Sequence, residues 1–99
     1  SVICPVCPPG RDHVYHQYVV RVKERDFIRM KLAEEGIGTA VHYPVPVHLQ
    51  PAYRRNPMKR LLPVTKRICK EILSLPIYPQ LREEHALHVA KTLLSIAHN

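Results

Sequence analysis

From Gly38 to Tyr53 the chain reads Gly-Thr-Ala-Val-His-Tyr-Pro-Val-Pro-Val-His-Leu-Gln-Pro-Ala-Tyr. Two histidines, two tyrosines and three prolines fall between His42 and Tyr53. Each proline fixes its own φ and biases the preceding residue toward extended backbone. Side chains on such a segment are held in fixed directions at small entropic cost, which suits a binding wall. His42 and His48 flank Tyr43 on this stiffened backbone. An imidazole there can bond a phosphate or a sugar hydroxyl, or relay a proton. Ordinary hydrogen bonding to the backbone is the competing explanation.

Other reactive side chains form weaker patterns. Cys4-Pro5-Val6-Cys7 has the Cys-x-x-Cys spacing that can grip zinc. It lacks a second ligand pair at a common zinc-finger spacing, so a proline-rich loop with two incidental thiols accounts for it as well. Redox chemistry is disfavoured, because the pair does not open a helix after a strand. His13 and His16, three apart on an extended segment, point to opposite sides. His85, His88 and His98 read as surface or boundary residues of a terminal helix. There is no Gly-x-Ser-x-Gly elbow and no phosphate-cradling loop, and the chain has three glycines in all.

The elements that must position the stiff segment follow from periodicity. Residues 13–22 read as a strand, with Val14, His16, Tyr18, Val20 and Val22 on one face. Asp26 is placed to cap a helix over 27–35. Phe27, Met30 and Ala33 form its i, i+3 stripe, with Ile28 and Leu32 beside it. Gly36 suits the residue after that helix, where positive φ is needed. Residues 38–43 read as a second strand, with Val41 and Tyr43 on one face and His42 on the other. Residues 44–62 are irregular, with a short helical turn near 51–55. Pro63 opens a second helix striped by Val64, Ile68 and Ile72. Residues 73–78 form a short strand in which Pro76 demands an edge or a bend. The last helix covers about 82–97, with Ala86, Val89, Ala90, Leu93 and Ala97 as its buried stripe and Glu83 and Glu84 in its first turn. The order β-α-β-loop-α-β-α predicts an α/β (α+β) fold, a small three-stranded sheet with helices packed on one face. Residues 1–12 read as a linker and 13–99 as the domain.

Composition narrows the function classes. Ninety-nine residues make one domain. Ten prolines are about twice the usual share, yet periodic stretches remain between them, so they punctuate a folded chain. Nothing approaches the about 20 apolar residues of a membrane span, and no secretory signal is evident. A start at Ser1 without Met suggests a piece of a longer chain. Three cysteines cannot all pair, which favours a reducing cytoplasm. The formal charge is +7. It would attract anions, and a stand-alone anion- or nucleic-acid-binding module is the alternative reading. The basic residues are scattered over polar helix faces, however, and the tyrosines do not interleave with them as a single-strand binder requires.

The run from His42 to Tyr53 resembles the DegT/DnrJ/StrS family of pyridoxal-phosphate-dependent sugar aminotransferases. So do His13–Arg21 before it, Leu73-Ser74-Leu75-Pro76-Ile77-Tyr78-Pro79 after it, Arg25-Asp26, and Gly36-Ile37-Gly38-Thr39. Order and spacing match over about residues 13–94. The resemblance is to the C-terminal small domain of these fold-type I enzymes, which act as homodimers. It implies transfer of an amino group, usually from glutamate, to a keto sugar carried on a nucleotide. It also implies that the cofactor lysine, the partner of the pyridine nitrogen and most phosphate contacts belong to a large domain before residue 1. No lysine here, Lys23 and Lys91 included, stands in the family's cofactor-lysine context. The fragment alone is therefore expected to be inactive, with no catalytic residue of its own. The family's His-Tyr-Pro segment lies at the active-site mouth near the sugar nucleotide. That carries over to His42 first, then to Tyr43; His48 matches the motif as well. One departure is Arg82, where such proteins often place a Ser or Thr cap.

Overall fold

The computed structural model describes residues 1–53, 55 and 61–98. Its regular elements are β1 (Val2–Ile3), β2 (Tyr18–Val22), α1 (Arg25–Glu34), α2 (Pro63–Glu71), β3 (Ile72–Leu75) and α3 (Glu83–His98). Two 3-10 turns, Val47–Leu49 and Pro51–Tyr53, lie between α1 and α2. The strands form one antiparallel sheet in the order β1-β2-β3. The expected three-stranded sheet with packed helices is therefore present, but its edge strand is Val2–Ile3 rather than residues 38–43. Two residues carry no periodicity, so β1 was invisible in the sequence and fell inside the supposed linker. Val2 opposite Val22 and Ile3 opposite Arg21 give it a place.

The other strands are shorter than their patterns. β2 begins at Tyr18 instead of residue 13, because Tyr15 takes a φ of +48°, outside strand geometry. β3 ends at Leu75, and residues 38–43 contribute only the bridge between Ala40 and Ser74. Continuing that antiparallel register would set Gly38 opposite Pro76. Proline has no N–H to give, so the ladder stops there. The β2–β3 ladder likewise ends at Tyr18 opposite Leu75.

α1 and α3 cover the face that carries Val20, Val22 and Leu73. These residues form the core with Ile28, Leu32, Ile37 and Leu93, and Leu32 and Leu73 are 0% exposed. In α1 the buried apolar residues are Ile28 and Leu32, four apart, whereas Phe27 and Met30 are exposed. The i, i+3 stripe chosen from sequence thus sits one position off the true core face. Asp26 is not the cap either. α1 starts at Arg25 after a left-handed Glu24 with no side-chain cap, and Asp26 instead accepts from Arg25 Nε. The helix ends as expected: Gly36 adopts φ +76°, with its N–H on Ala33 O and the Ile37 N–H on Leu32 O. α3 buries Leu93 and half-buries Val89 and Ala97, while Ala86 and Ala90 stay exposed. Its first turn is capped by the backbone: the Arg82 carbonyl accepts from the His85 and Ala86 N–H groups.

α2 begins at Pro63 as predicted, but Val64 is exposed, Ile68 is half-buried, and Ile72 is the first residue of β3. The helix is tied to the sheet by charge. Arg21 donates to Glu71 from Nε (2.9 Å) and Nη2 (2.7 Å). Of the basic residues read as solvated, Arg54, Lys59 and Arg60 lie outside the described residues, as does part of the turn expected at 51–55.

Among the described residues Arg25 is the buried cation. It is 7% exposed, and its Nη1 donates to Cys69 O (3.1 Å) and Ile72 O (2.9 Å). These carbonyls close the C-terminal end of α2, where the helix dipole favours a positive charge. Arg25 thereby joins the start of α1 to the junction of α2 and β3. Arg25→Ala is expected to lower unfolding free energy by roughly 2–3 kcal/mol, since one buried and one part-buried carbonyl lose a charged donor. Arg25→Lys restores only part, because an ammonium lacks the planar fork. Urea denaturation of the three proteins measures both.

Candidate functional site

Alternation places the site. Ala40 and Ser74 exchange both backbone hydrogen bonds, at 3.1 and 2.8 Å. His42 lies two residues beyond Ala40, so it shares the face of Ser74, away from the core. Val41 turns inward and packs against the core cluster. The His42 ring then rests on Ser74, with Nδ1 2.8 Å from the Ser74 Oγ. Ser74 is 6% exposed and His42 half-buried, so this contact is partly shielded from solvent. The peptide bond between His42 and Tyr43 is cis, and the two rings meet edge to face with centroids 5.4 Å apart.

His42 borders a cleft of about 420 Å³ where the strand pairing ends at Pro76. His16 and Gln17 line one side, Gly38, Thr39 and His42 the other, and Ser74 to Ile77 the base. The lining offers two imidazoles, one amide and two hydroxyls against an aliphatic background. These groups suit a neutral or anionic ligand rich in oxygen acceptors. The described residues lining the cleft include no amine, guanidinium or carboxylate. They do not fit pyridoxal phosphate, which requires a lysine for its imine and a charged partner for its ring nitrogen.

The other candidates separate from His42. Tyr43 is 69% exposed and stands outside the cleft lining. His48 is buried in the first 3-10 turn, and its Nε2 has no partner among the described residues. It underlies the proline-rich segment and does not line the cleft with His42. Gln50 supports the same segment by donating from Nε2 to Val45 O at 3.3 Å. His13 accepts from the Tyr15 N–H (2.8 Å), and their rings stack at 4.3 Å. Cys4 and Cys7 are exposed, and the Cys7 thiol donates to Arg11 O. Among the described residues no three His, Cys, Asp or Glu side chains are grouped to hold a metal ion.

Sequence reasoning missed Ser74, His16, Gln17 and Thr39 as cleft residues. The signal for Ser74 was present: inward Leu73 and Leu75 force it outward. Its pairing with Ala40 was the absent piece.

Tyr18 stands at the start of β2 near Cys4. Burial pushes its phenol above the ordinary tyrosine value of 10.0, and the Cys4 thiol and then the Tyr15 phenol add to the rise. A raised acid keeps its proton in the folded state after the unfolded chain has lost it. Stability is therefore complete below about pH 10 and declines as pH rises from there through the folded value. In an ultraviolet titration one of the five tyrosines is expected to ionise last. Cys4→Ser should lower that midpoint only in part, because burial is the larger cause.

No described helix is long and apolar enough to cross a membrane. Comparison with known proteins adds the family. The model of the DegT/DnrJ/EryC1/StrS aminotransferase family matches residues 2–94. The chain is 45% identical over 86 residues to the dTDP-3-amino-3,4,6-trideoxy-alpha-D-glucose transaminase of Streptomyces venezuelae, covering 86% of this chain and 23% of that protein. It is 42% identical over 93 residues to a "pleiotropic regulatory protein" of Geobacillus stearothermophilus, covering 93% and 25%. The crystal structure of S. venezuelae DesV in complex with a ketimine intermediate superposes with a TM-score of 0.93 at 40% identity, over 99% of this chain and 27% of that one. The chain thus spans about a quarter of the length of the curated relatives it matches. With a family match over nearly its whole length and a fold that superposes throughout, the chain belongs to the DegT/DnrJ/EryC1/StrS aminotransferase family.

Proposed function

We propose that this chain is the substrate-covering domain of a pyridoxal-phosphate-dependent aminotransferase. That enzyme moves an amino group from an amino acid, glutamate by family resemblance, to a nucleotide-linked keto sugar. The observation that carries the reading is His42, seated on Ser74 at the lip of a cleft lined by neutral hydrogen-bonding groups. Such a wall can hold sugar hydroxyls or a diphosphate through its donors, without the reactive groups of transamination. His42 is the first contact, Tyr43 offers its exposed ring beside it, and His48 contributes to substrate binding from its buried place in the same segment. Pyridoxal phosphate is then held by a family large domain, and the active form is a homodimer. Three free thiols suit a reducing cytoplasm.

A hybrid enzyme tests this reading. The chain replaces the matching quarter of the S. venezuelae transaminase, and amino transfer to a nucleotide-linked keto sugar is followed. Turnover by the hybrid and none by the 99-residue chain alone is expected. A folded, cofactor-loaded hybrid without sugar-nucleotide binding would refute it.

A further inference from the structure

Ser74 is buried, and its backbone N–H and carbonyl are both engaged by Ala40. Among the described residues its hydroxyl has one partner, the His42 Nδ1 at 2.8 Å. A buried hydroxyl hydrogen without an acceptor costs about 1–3 kcal/mol. Among the described residues the acceptor in reach is this ring nitrogen, so the hydroxyl is placed to donate to it. Nδ1 then carries no hydrogen in the neutral ring, and the single N–H sits on Nε2. That nitrogen has no partner among the described residues, yet it is not sealed from solvent as the His48 Nε2 is.

We propose that Ser74 is a positioning residue that fixes His42 in its Nε2–H form, as a hydrogen-bond donor toward the cleft. The His42 ring would otherwise be free to swap tautomers and turn. Held this way, it presents a donor to ligands whose recognition atoms are acceptors: phosphate oxygens, ring and carbonyl oxygens of a sugar. It is not set up as a base toward them. The ligand class rests on the proposed function; the tautomer does not.

The test reads the ring directly. The full 99-residue chain labelled with 15N-histidine is studied by long-range 1H–15N correlation at about pH 8.5, where imidazoles are neutral. His42 is assigned by its loss in His42→Ala. The expected pattern is a fully Nε2–H ring in the native chain, a shift of both nitrogens toward the mixed-tautomer average in Ser74→Ala, and recovery in Ser74→Thr, which keeps the hydroxyl. Unchanged His42 nitrogens in Ser74→Ala, or a native ring protonated on Nδ1, would overturn the proposal. A second arm measures sugar-nucleotide affinity in the hybrid enzyme. A roughly 5- to 20-fold loss in Ser74→Ala with recovery in Ser74→Thr is expected. If the ring responds in the chain but affinity does not, the ligand reading fails and the positioning role stands.

Discussion

His42→Ala in the hybrid enzyme is expected to weaken sugar-nucleotide binding by about 10- to 100-fold. A hydrogen bond to a charged group contributes about 1.5–3 kcal/mol, and each 1.4 kcal/mol is tenfold in affinity. The domain should survive the change. His42 is only half-buried, and its neighbours on the core face, Val41 and Leu73, are untouched. One small cost remains, because Ser74 loses its acceptor and must turn to water entering the vacated space. His42→Gln should retain part of the affinity, since its amide supplies a donor at similar reach. Isothermal titration with the sugar nucleotide separates the variants. Equal affinity for native and Ala proteins would remove His42 from the site.

Leu73→Ala is expected to cost 2–5 kcal/mol, the range for truncating a buried leucine in a core that cannot fully collapse. Leu73 is 0% exposed and lies opposite Val20 in the β2–β3 ladder, in the same cluster as Leu32 and Leu93. Small domains have roughly 5–15 kcal/mol in total, so the loss takes a large share. Its consequence reaches the site through the backbone. Ser74 follows Leu73, so loosening β3 also loosens the seat of the His42 ring. Leu87→Ala is the contrast: that side chain is half exposed on α3 and should change stability little. Urea midpoints of the chain should separate the two by well over 1 kcal/mol, and equal midpoints would contradict the assigned core.

How much of this was legible depended on whether a residue's role is local. Gly36 announced the end of α1, because a positive φ after a helix is a demand of a single position. Pro63 announced the start of α2 for the same kind of reason. The face of α1 was misjudged because Phe27 and Met30 are as apolar as Ile28 and Leu32. Only the sheet decides which pair it covers. Val2 and Ile3 become a strand solely because Val22 and Arg21 lie opposite them, a non-local fact. Pro76 was noted as a bend, but its larger effect is on Gly38, nearly forty residues away, where the ladder fails and the cleft opens. His42 was singled out by the proline-stiffened run and by family resemblance, and the structure puts it in the lining of the cleft. His48 looked equivalent in sequence; its burial in a 3-10 turn distinguishes it. Ser74 became visible only when Ala40 paired with it.

The proposed function makes the cleft at His42 one wall of a sugar-nucleotide site. A crystal structure of the hybrid enzyme with the sugar nucleotide bound tests it most directly. The His42 Nε2 is expected at about 2.7–3.2 Å from a phosphate or sugar oxygen, the hydrogen-bond range for an N–H donor. An ordered sugar nucleotide with no atom within about 4 Å of the His42 ring would contradict it.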